Sequence, residues 1–200
     1  MAVRPPQHVR IDDVSTFDDV ASVIRRRRTS MVVDPERDIA IDTLRSLCEL
    51  AQWAPNHKRT WPWRFAVFVG AGRTSLGQAI VADMRAARFG DERIHQKTRT
   101  KYLRTPAVLV GGASSDSDAV RNVENRDAVA AGVQNILLAA TSIGLASYWG
   151  SAPREVGRRT LDLCGFDADT RIVSIIYLGW ATNGPAAPAR PPVRLAVIDR

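Results

Sequence analysis

Residues 54–63 read APNHKRTWPW and join a predicted helix, about Asp42 to Trp53, to a predicted strand, Phe65 to Val69. The segment holds two prolines, two tryptophans, one histidine and two cations. Prolines restrict the backbone, indole rings offer flat apolar surface, and the cations and histidine supply hydrogen-bond donors. Such a loop would suit a planar, partly anionic ligand. An ordinary loop whose tryptophans cap the core is the alternative, and the segment alone leaves both open.

The apolar spacing on either side of this loop predicts alternating helices and strands. We expect helices at about 16–27, 42–53, 74–87, 91–103 and 119–143, and one that opens at Pro153. We expect strands at 65–69, 107–110, 146–149 and 172–178, with a last strand at 194–198. Long helices between few strands indicate an α+β domain built around a small sheet.

Length and composition indicate one globular domain. A hydrophobic share of 45% and a charged share of 24% in 200 residues exclude a disordered, collagen-like or disulfide-dense chain. Cys48 and Cys164 lie far apart in apolar surroundings, which indicates buried thiols in a reducing compartment, so we expect the cytoplasm. Residues 1–17 hold no signal peptide, and polar residues interrupt the apolar stretch 128–149, so we expect no membrane span. The histidines lack zinc-ligand spacing, and we expect no metal site.

The positive charge of the chain is almost all arginine. Lysine and arginine number 28 against 21 acidic residues, a net charge of +7, and only three of the cations are lysines. Arginine binds phosphate in a bidentate way, which favours a nucleic acid or a phosphorylated cofactor unless the composition only reflects a GC-rich genome. The run Arg25–Arg28 ends the first predicted helix, where a solvated basic helix end is the simplest interpretation. No aromatic residues alternate with it, which argues against binding of single-stranded nucleic acid.

Five motifs occur in the order and spacing of one protein family. Arg27-Arg28-Thr29 is similar to an “RRS” signature, and Ala54-Pro55 with Pro62-Trp63-Arg64-Phe65 resembles an “APS…QPW-x-F” segment. Residues 104–110, 132–145 and 177–180 resemble an “AP-x-hydrophobic” strand, a long central helix and a late “LGYP” strand. Over about residues 17–195 the chain thus resembles the nitroreductase-like flavoproteins. The loop is most similar to that of the short, minimal nitroreductases that carry “APDHK”.

The resemblance implies a fold and an assembly. It implies a three-layer α+β fold, in which helices surround a central, mostly antiparallel mixed sheet, and a homodimer with two FMN sites at the subunit interface. Residues 1–15 would form an N-terminal arm, and residues 16–200 one nitroreductase-like domain whose C-terminal tail wraps the partner. We expect the twofold axis near the face of the long helix that carries Val129, Val133, Ile136, Leu137 and Ala140.

The resemblance also implies which residues bind FMN. Carried over by position, the cofactor-binding residues are Arg27, Arg28, Thr29, Trp53, His57, Trp149, Gly150, Ser151 and Arg190. Arg27, Arg28 and Thr29 would hold the phosphate and ribityl chain, and Trp149–Ser151 would reach across from the second subunit. Arg190, with Arg194 behind it, would complete the phosphate site. No side chain is expected to be catalytic.

The implied activity is FMN-dependent reduction of nitroaromatics, quinones or related small electrophiles by ping-pong hydride transfer from NADPH or NADH. We weakly favour NADPH over NADH, because its 2′-phosphate could be attracted by four cations: Arg93, Lys97, Arg99 and Lys101. Two alternatives stay open: an FMN-dependent dehydrogenase or dehalogenase of the same fold, and a basic nucleic-acid-binding domain. The sequence departs from the family at Arg59, Trp61 and Met31, where Asn, Gln and Lys are usual, so Lys58 or Arg59 would have to supply a charge near the flavin.

Overall fold

The computed structural model describes residues 16–151, 153 and 155–199, and the predicted arm at 1–15 lies outside them. The helices of the described chain are α1 (Phe17–Arg26), α2 (Ile41–Ala51), α3 (Gly72–Ala86), α4 (Glu92–Thr100), α5 (Ala119–Ser142) and α6 (Arg158–Cys164). The strands are β1 (Trp63–Val69), β2 (Ala107–Ala113), β3 (Leu145–Gly150) and β4 (Arg171–Trp180). Short 3₁₀ turns lie at His57–Arg59 and Lys101–Leu103. From α1 to β4 the elements follow the predicted order.

The strands form one antiparallel sheet in the order β1-β2-β4-β3. The resemblance implies a partly mixed sheet. Among the described residues, however, the parallel pairing is limited to one isolated bridge between Thr29 and Ser147, on the free edge of β3. The prediction of a strand at 194–198 is wrong for the protomer, since these residues are exposed and join no sheet. Alternating apolar residues make a strand only where a neighbouring strand satisfies their backbone groups.

Helices cover both faces of the sheet. On one face α2 and α5 pack against residues such as Leu109 and Ile176, and on the other α3 and α6 pack against Val108 and Ile175. Neighbouring residues of β2 and β4 enter opposite cores because side chains alternate along a strand. The predicted three-layer α+β fold is therefore confirmed.

The apolar face of α5 that the sequence assigns to a dimer is buried inside one protomer. Its members belong to the core between α2 and the sheet: Val129, Val133, Ile136, Leu137 and Ala140. A Cβ on Gly132 would lie 2.8 Å from the Ala51 carbonyl oxygen, so glycine permits the close approach of α2 to α5. The prediction that these side chains form a dimer interface is wrong, because the helix uses this face within its own chain. A twofold axis near another face of the helix stays a prediction.

Helix α6 begins at Arg158, and the prediction that it opens at Pro153 is wrong. Asp83 of α3 accepts hydrogen bonds from the backbone N–H groups of Gly157 (3.0 Å) and Thr160 (2.9 Å) and from the Thr160 hydroxyl (2.6 Å). These N–H groups are the free donors of the first helical turn, so the position of Asp83 decides where α6 starts. Burial alone would raise the pKa of Asp83, but the hydrogen bonds from Thr160, Gly157 and Arg159 hold this pKa below its usual value.

Trp63 is the tryptophan of the 54–63 segment that belongs to the core. It is 8% exposed, and its Nε1 donates to the Ala128 carbonyl at 3.1 Å. We expect Trp63→Ala to lower the free energy of unfolding by about 3–5 kcal/mol, because it opens a cavity in the core and removes the hydrogen bond from the indole. Chemical denaturation measures the loss. Trp61→Ala, at a position that is 57% exposed, is the control, and an equal loss there would contradict the assignment.

Asp83→Asn should destabilise the protein in a pH-dependent way. We expect a loss of about 1–3 kcal/mol at neutral pH, because a buried charged acceptor is replaced by an amide. The folded-state pKa of Asp83 lies below its unfolded value of about 3.9, so its contribution is complete above that value and disappears as the pH falls through the folded-state pKa. Urea denaturation of both proteins from about pH 7 down to about pH 3 measures this, and a difference that does not change with pH would refute it.

Candidate functional site

The chain after α1 runs along the edge of the sheet. The Arg27 N–H donates to the Val23 carbonyl (3.0 Å) and closes the helix. Thr29 then bridges to Ser147, and the Ser30 N–H donates to the Ser147 carbonyl (3.0 Å). Arg27–Thr29 therefore lie beside the part of β3 that continues into Trp149.

A cleft of about 700 Å³ opens where α1, α5, β3 and the C-terminal segment meet. Its lining residues are Ile24, Arg25, Arg27, Arg28, Thr29, Gln134, Leu137, Trp149, Ala187, Pro188 and Arg190. Four of these are arginines and none is a carboxylate, so the fixed charge around the cleft is positive. Leu137 and Trp149 add apolar surface to the same wall.

Arg28 carries an unsatisfied donor at this cleft. Its Nη1 donates to the carbonyls of Arg25 and Arg27, but its Nε is buried and has no hydrogen-bond partner among the described residues. The hydroxyl of Ser147, on the strand residue that pairs with Thr29, is buried and unpartnered in the same part of the chain. Buried polar atoms normally have partners, and Arg28 lines the cleft, so its unpaired Nε indicates a ligand with acceptor atoms. Ser147 lines neither cleft, so its hydroxyl does not bear on the ligand.

Five of the nine predicted binding residues line this cleft within one protomer: Arg27, Arg28, Thr29, Trp149 and Arg190. Gly150 and Ser151 follow Trp149 directly, whereas Arg194 is not part of the lining. The expectation that Trp149–Ser151 serve the partner's site does not fit this arrangement. Trp149 lies beside the Arg27–Thr29 segment of its own chain, because β3 carries both Trp149 and the Ser147 that pairs with that segment.

Neither Trp53 nor His57 lines the cleft, and His57 lies well away from it. His57 Nδ1 is 2.9 Å from both carboxylate oxygens of Glu124 on α5, whereas the cleft reaches α5 at Gln134. Ten residues of helix separate these positions, a distance of about 15 Å. Trp53 is 84% exposed at the end of α2. One protomer therefore does not bring the two halves of the predicted site together.

Six residues of the cleft are absent from the predicted binding residues: Ile24, Arg25, Gln134, Leu137, Ala187 and Pro188. Arg25 belongs to the basic run that the sequence analysis interprets as a solvated helix end. Gln134 gives a signal, since it is a polar residue within an apolar stretch of the long helix. The other four are ordinary apolar residues whose position depends on how α1 and the tail meet α5.

A second cleft of about 520 Å³ adjoins the first through Thr29. Its walls include Met31, Val32, Tyr148 and Pro185, and they are mainly apolar. Met31 is uncharged, so no charge enters this cleft at the position where the resemblance implies a lysine. The cleft offers space for a flat apolar group next to the arginine-rich one.

The cations that the sequence associates with a 2′-phosphate lie elsewhere: Arg93, Lys97 and Arg99 are on α4, and Lys101 is in the turn after it. None of them lines either cleft. Burial lowers the pKa of Lys101, and the nearby charges of Arg104 and Lys97 lower it further.

Other reactive groups do not extend the site. Burial raises the pKa of the Cys48 and Cys164 thiols to about 12, which keeps them protonated. Within the described part of the chain, no three His, Cys, Asp or Glu side chains come together as metal ligands. No helix among the described residues has both the length and the apolar character that crossing a bilayer requires.

Comparison with known proteins assigns the family. The family model described as “Nitroreductase family” matches residues 24–180. The chain belongs to this family. The crystal structure of the nitroreductase-like family protein from Bacillus cereus is 28% identical, with a TM-score of 0.79, and covers 93% of this chain and 99% of its own.

Two further members of the nitroreductase family extend the comparison. The “Putative NAD(P)H nitroreductase YfhC” of Bacillus subtilis (strain 168) is 25% identical over 193 residues, which cover 94% of this chain and 96% of that protein. The FMN-dependent nitroreductase NfnB from Mycobacterium smegmatis, crystallised in complex with NADPH, is 20% identical and has a TM-score of 0.70. The match covers 91% of this chain and all of the other chain, so NfnB shares the whole nitroreductase fold.

Proposed function

We propose that this chain is an FMN-dependent NAD(P)H oxidoreductase that reduces nitroaromatics, quinones or related small electrophiles. The observation that carries the proposal is the arginine-rich cleft, in which the buried Nε of Arg28 lacks a partner. Family members support it: NfnB is described as FMN-dependent and was crystallised with NADPH, and a Bacteroides fragilis nitroreductase was crystallised with FMN.

The residues of the cleft fit FMN. A phosphate dianion matches Arg27, Arg28 and Arg190, since guanidinium groups bind phosphate in a bidentate way. The Thr29 hydroxyl can hydrogen-bond to the ribityl chain, and Trp149 offers a flat apolar surface. When bound, FMN supplies the hydride chemistry. The protein's part is to hold the ligand, to exclude water and to stabilise negative charge with fixed cations.

We further propose that the site is completed in a homodimer. On this proposal Trp53 and His57 come from the partner, and Trp149–Ser151 from the chain that supplies Arg27–Thr29. Exposed apolar residues support an interface outside the α5 core face: Phe17 and Val20 on α1, and Val193, Leu195 and Val197 in the tail. A tail of this kind would wrap the partner, as the resemblance implies. A cytoplasmic location stays a prediction.

The decisive experiment is the absorption spectrum of the purified protein, followed by anaerobic addition of NADH or NADPH. We expect a flavin spectrum that either cofactor bleaches and that a nitroaromatic or a quinone restores. Protein that is colourless, and stays so after FMN is added, would refute the proposal. If NADH or NADPH bleaches the flavin but neither a nitroaromatic nor a quinone reoxidises it, the result favours the alternative, an FMN-dependent dehydrogenase or dehalogenase.

Arg28→Lys should weaken FMN binding at least about tenfold. The substitution keeps the charge but removes the Nε donor, and a hydrogen bond to a charged group contributes about 1.5–3 kcal/mol. Titration of apo protein with FMN, followed by flavin fluorescence, measures the dissociation constant. The same change at Arg45, an exposed residue on α2 paired with Asp42, is the control. Equal effects at both positions would show that the overall charge, not the cleft, binds FMN.

Val20→Asp should dissociate the proposed dimer and lose FMN with it, while the protomer stays folded. Val20 lies on the exposed apolar side of α1 and contributes little to the core, so a charge there is tolerated in the monomer. Light scattering gives the mass, and absorbance gives the flavin content. Ile136→Asp is the contrasting variant, because Ile136 is fully buried and a charge there should prevent folding. A folded Val20→Asp monomer with stoichiometric FMN would refute the shared site.

A further inference from the structure

We propose that residues 53–61, here called the Trp53–Trp61 loop, bind the electrophile, and that Lys58 and Arg59 select planar substrates that carry an anionic group such as a carboxylate or sulfonate. The inference rests on the proposed function, because the loop meets a flavin only through the proposed roles of Trp53 and His57. It goes further by naming the substrate class and the residues that recognise it.

The backbone of the Trp53–Trp61 loop is held in an unfavourable conformation. Lys58, Arg59 and Trp61 have φ values of 60°, 52° and 50°, although none of them is glycine. Residues in this left-handed region are sparse in proteins and concentrate at functional sites. Such a backbone persists only where the surrounding structure holds it, so the loop has been fixed in one shape.

Polar side chains supply that support. Asn56 Nδ2 donates to the Thr60 hydroxyl (3.0 Å), and Asn56 Oδ1 accepts from the Trp61 N–H (2.9 Å). The Thr60 hydroxyl in turn donates to Asn125 of α5. The loop is thereby closed on itself and tied to the central helix, which preorganises its outward-facing side chains.

Two cations of the loop remain free to bind an anion. Both carboxylate oxygens of Glu124 lie 2.9 Å from His57 Nδ1, so this nearby carboxylate pairs with His57. Lys58 and Arg59 are exposed and form no ion pair with any residue that the structure describes. Their charges are therefore available to a ligand.

Flat apolar surface flanks these cations. Trp53 and Trp61 are largely exposed, and the Trp61 ring is anchored by the core residue Trp63, whose ring centroid lies 6.1 Å away. An aromatic substrate can stack on an indole ring while its anionic group accepts hydrogen bonds from Arg59. On the proposed function the FMN phosphate is bound by Arg27, Arg28 and Arg190 of the cleft, which leaves Lys58 and Arg59 for a different anion.

A matched pair of substrates and a matched pair of variants test the proposal. The substrates are 4-nitrobenzoate and its neutral analogue 4-nitrobenzamide. Arg59→Asn removes the charge and places at φ 52° a residue that tolerates this conformation. Arg88→Asn is the control, since Arg88 is also exposed, has a φ of 55° and follows α3 on the opposite side of the sheet. Both variants lose one positive charge.

The measured quantity is the kcat/KM for 4-nitrobenzoate divided by that for 4-nitrobenzamide, at saturating NADPH. We expect Arg59→Asn to lower this ratio at least about fivefold, because it removes a charge-assisted hydrogen bond at a partly exposed site. Arg88→Asn should leave the ratio unchanged. An unchanged ratio in Arg59→Asn, with FMN bound normally, would overturn the inference. If Arg59→Asn does not fold, Lys58→Asn at φ 60° is judged by the same ratio.

Two further measurements separate the inference from the proposed function. A wild-type protein that binds no FMN contradicts the proposed function itself. The second anion that the loop could bind is the phosphate of the nicotinamide cofactor, so the anaerobic rate of flavin reduction by NADPH is measured in each variant. A slower rate in Arg59→Asn would assign the loop to the dinucleotide and overturn the inference. An FMN-loaded enzyme that NADPH reduces but that reduces neither nitro compound would also overturn it.

Discussion

One backbone hydrogen bond, from the Ser30 N–H to the Ser147 carbonyl, decides where the candidate site lies. It begins a short run along the sheet edge that ends with the Asp34 N–H donating to the Trp180 carbonyl (2.9 Å). Gly179 permits this run, because a Cβ there would lie 2.7 Å from the Cβ of Val33. The arginines at the end of α1 are thus held where β3 presents Trp149, and a shift of this segment would dismantle the cleft.

The cations of the cleft and those of the Trp53–Trp61 loop differ in exposure. At the cleft, Arg28 is held by backbone carbonyls and keeps a buried donor without a partner, which suits a ligand that stays bound. In the Trp53–Trp61 loop, Lys58 and Arg59 are surrounded by solvent, where ion pairs are weak and ligands exchange easily. On the proposed function, this contrast separates a resident cofactor from a substrate that must leave after each turnover.

The sequence predicts the fold well, because the fold depends on local patterns. The order of elements from α1 to β4 and the three-layer α+β arrangement are confirmed. Predictions about long-range contacts are weaker. The start of α6 depends on Asp83, which is remote in sequence, and the place of Trp149 depends on backbone pairing that carries no side-chain signature.

The error over α5 has a physical cause that also bears on assembly. A helix that is apolar over most of its surface can serve the core or an interface, and its composition does not distinguish them. Since α2 and the sheet occupy the apolar face of α5, any partner must bind elsewhere. Phe17, Val20 and Ile24 leave an apolar stripe of helical spacing in water, and Val193, Leu195 and Val197 leave one of strand spacing. These two exposed stripes favour an interface formed jointly by one side of α1 and the extended tail. Such an interface adjoins the arginine-rich cleft, because Ile24 of the α1 stripe also lines that cleft.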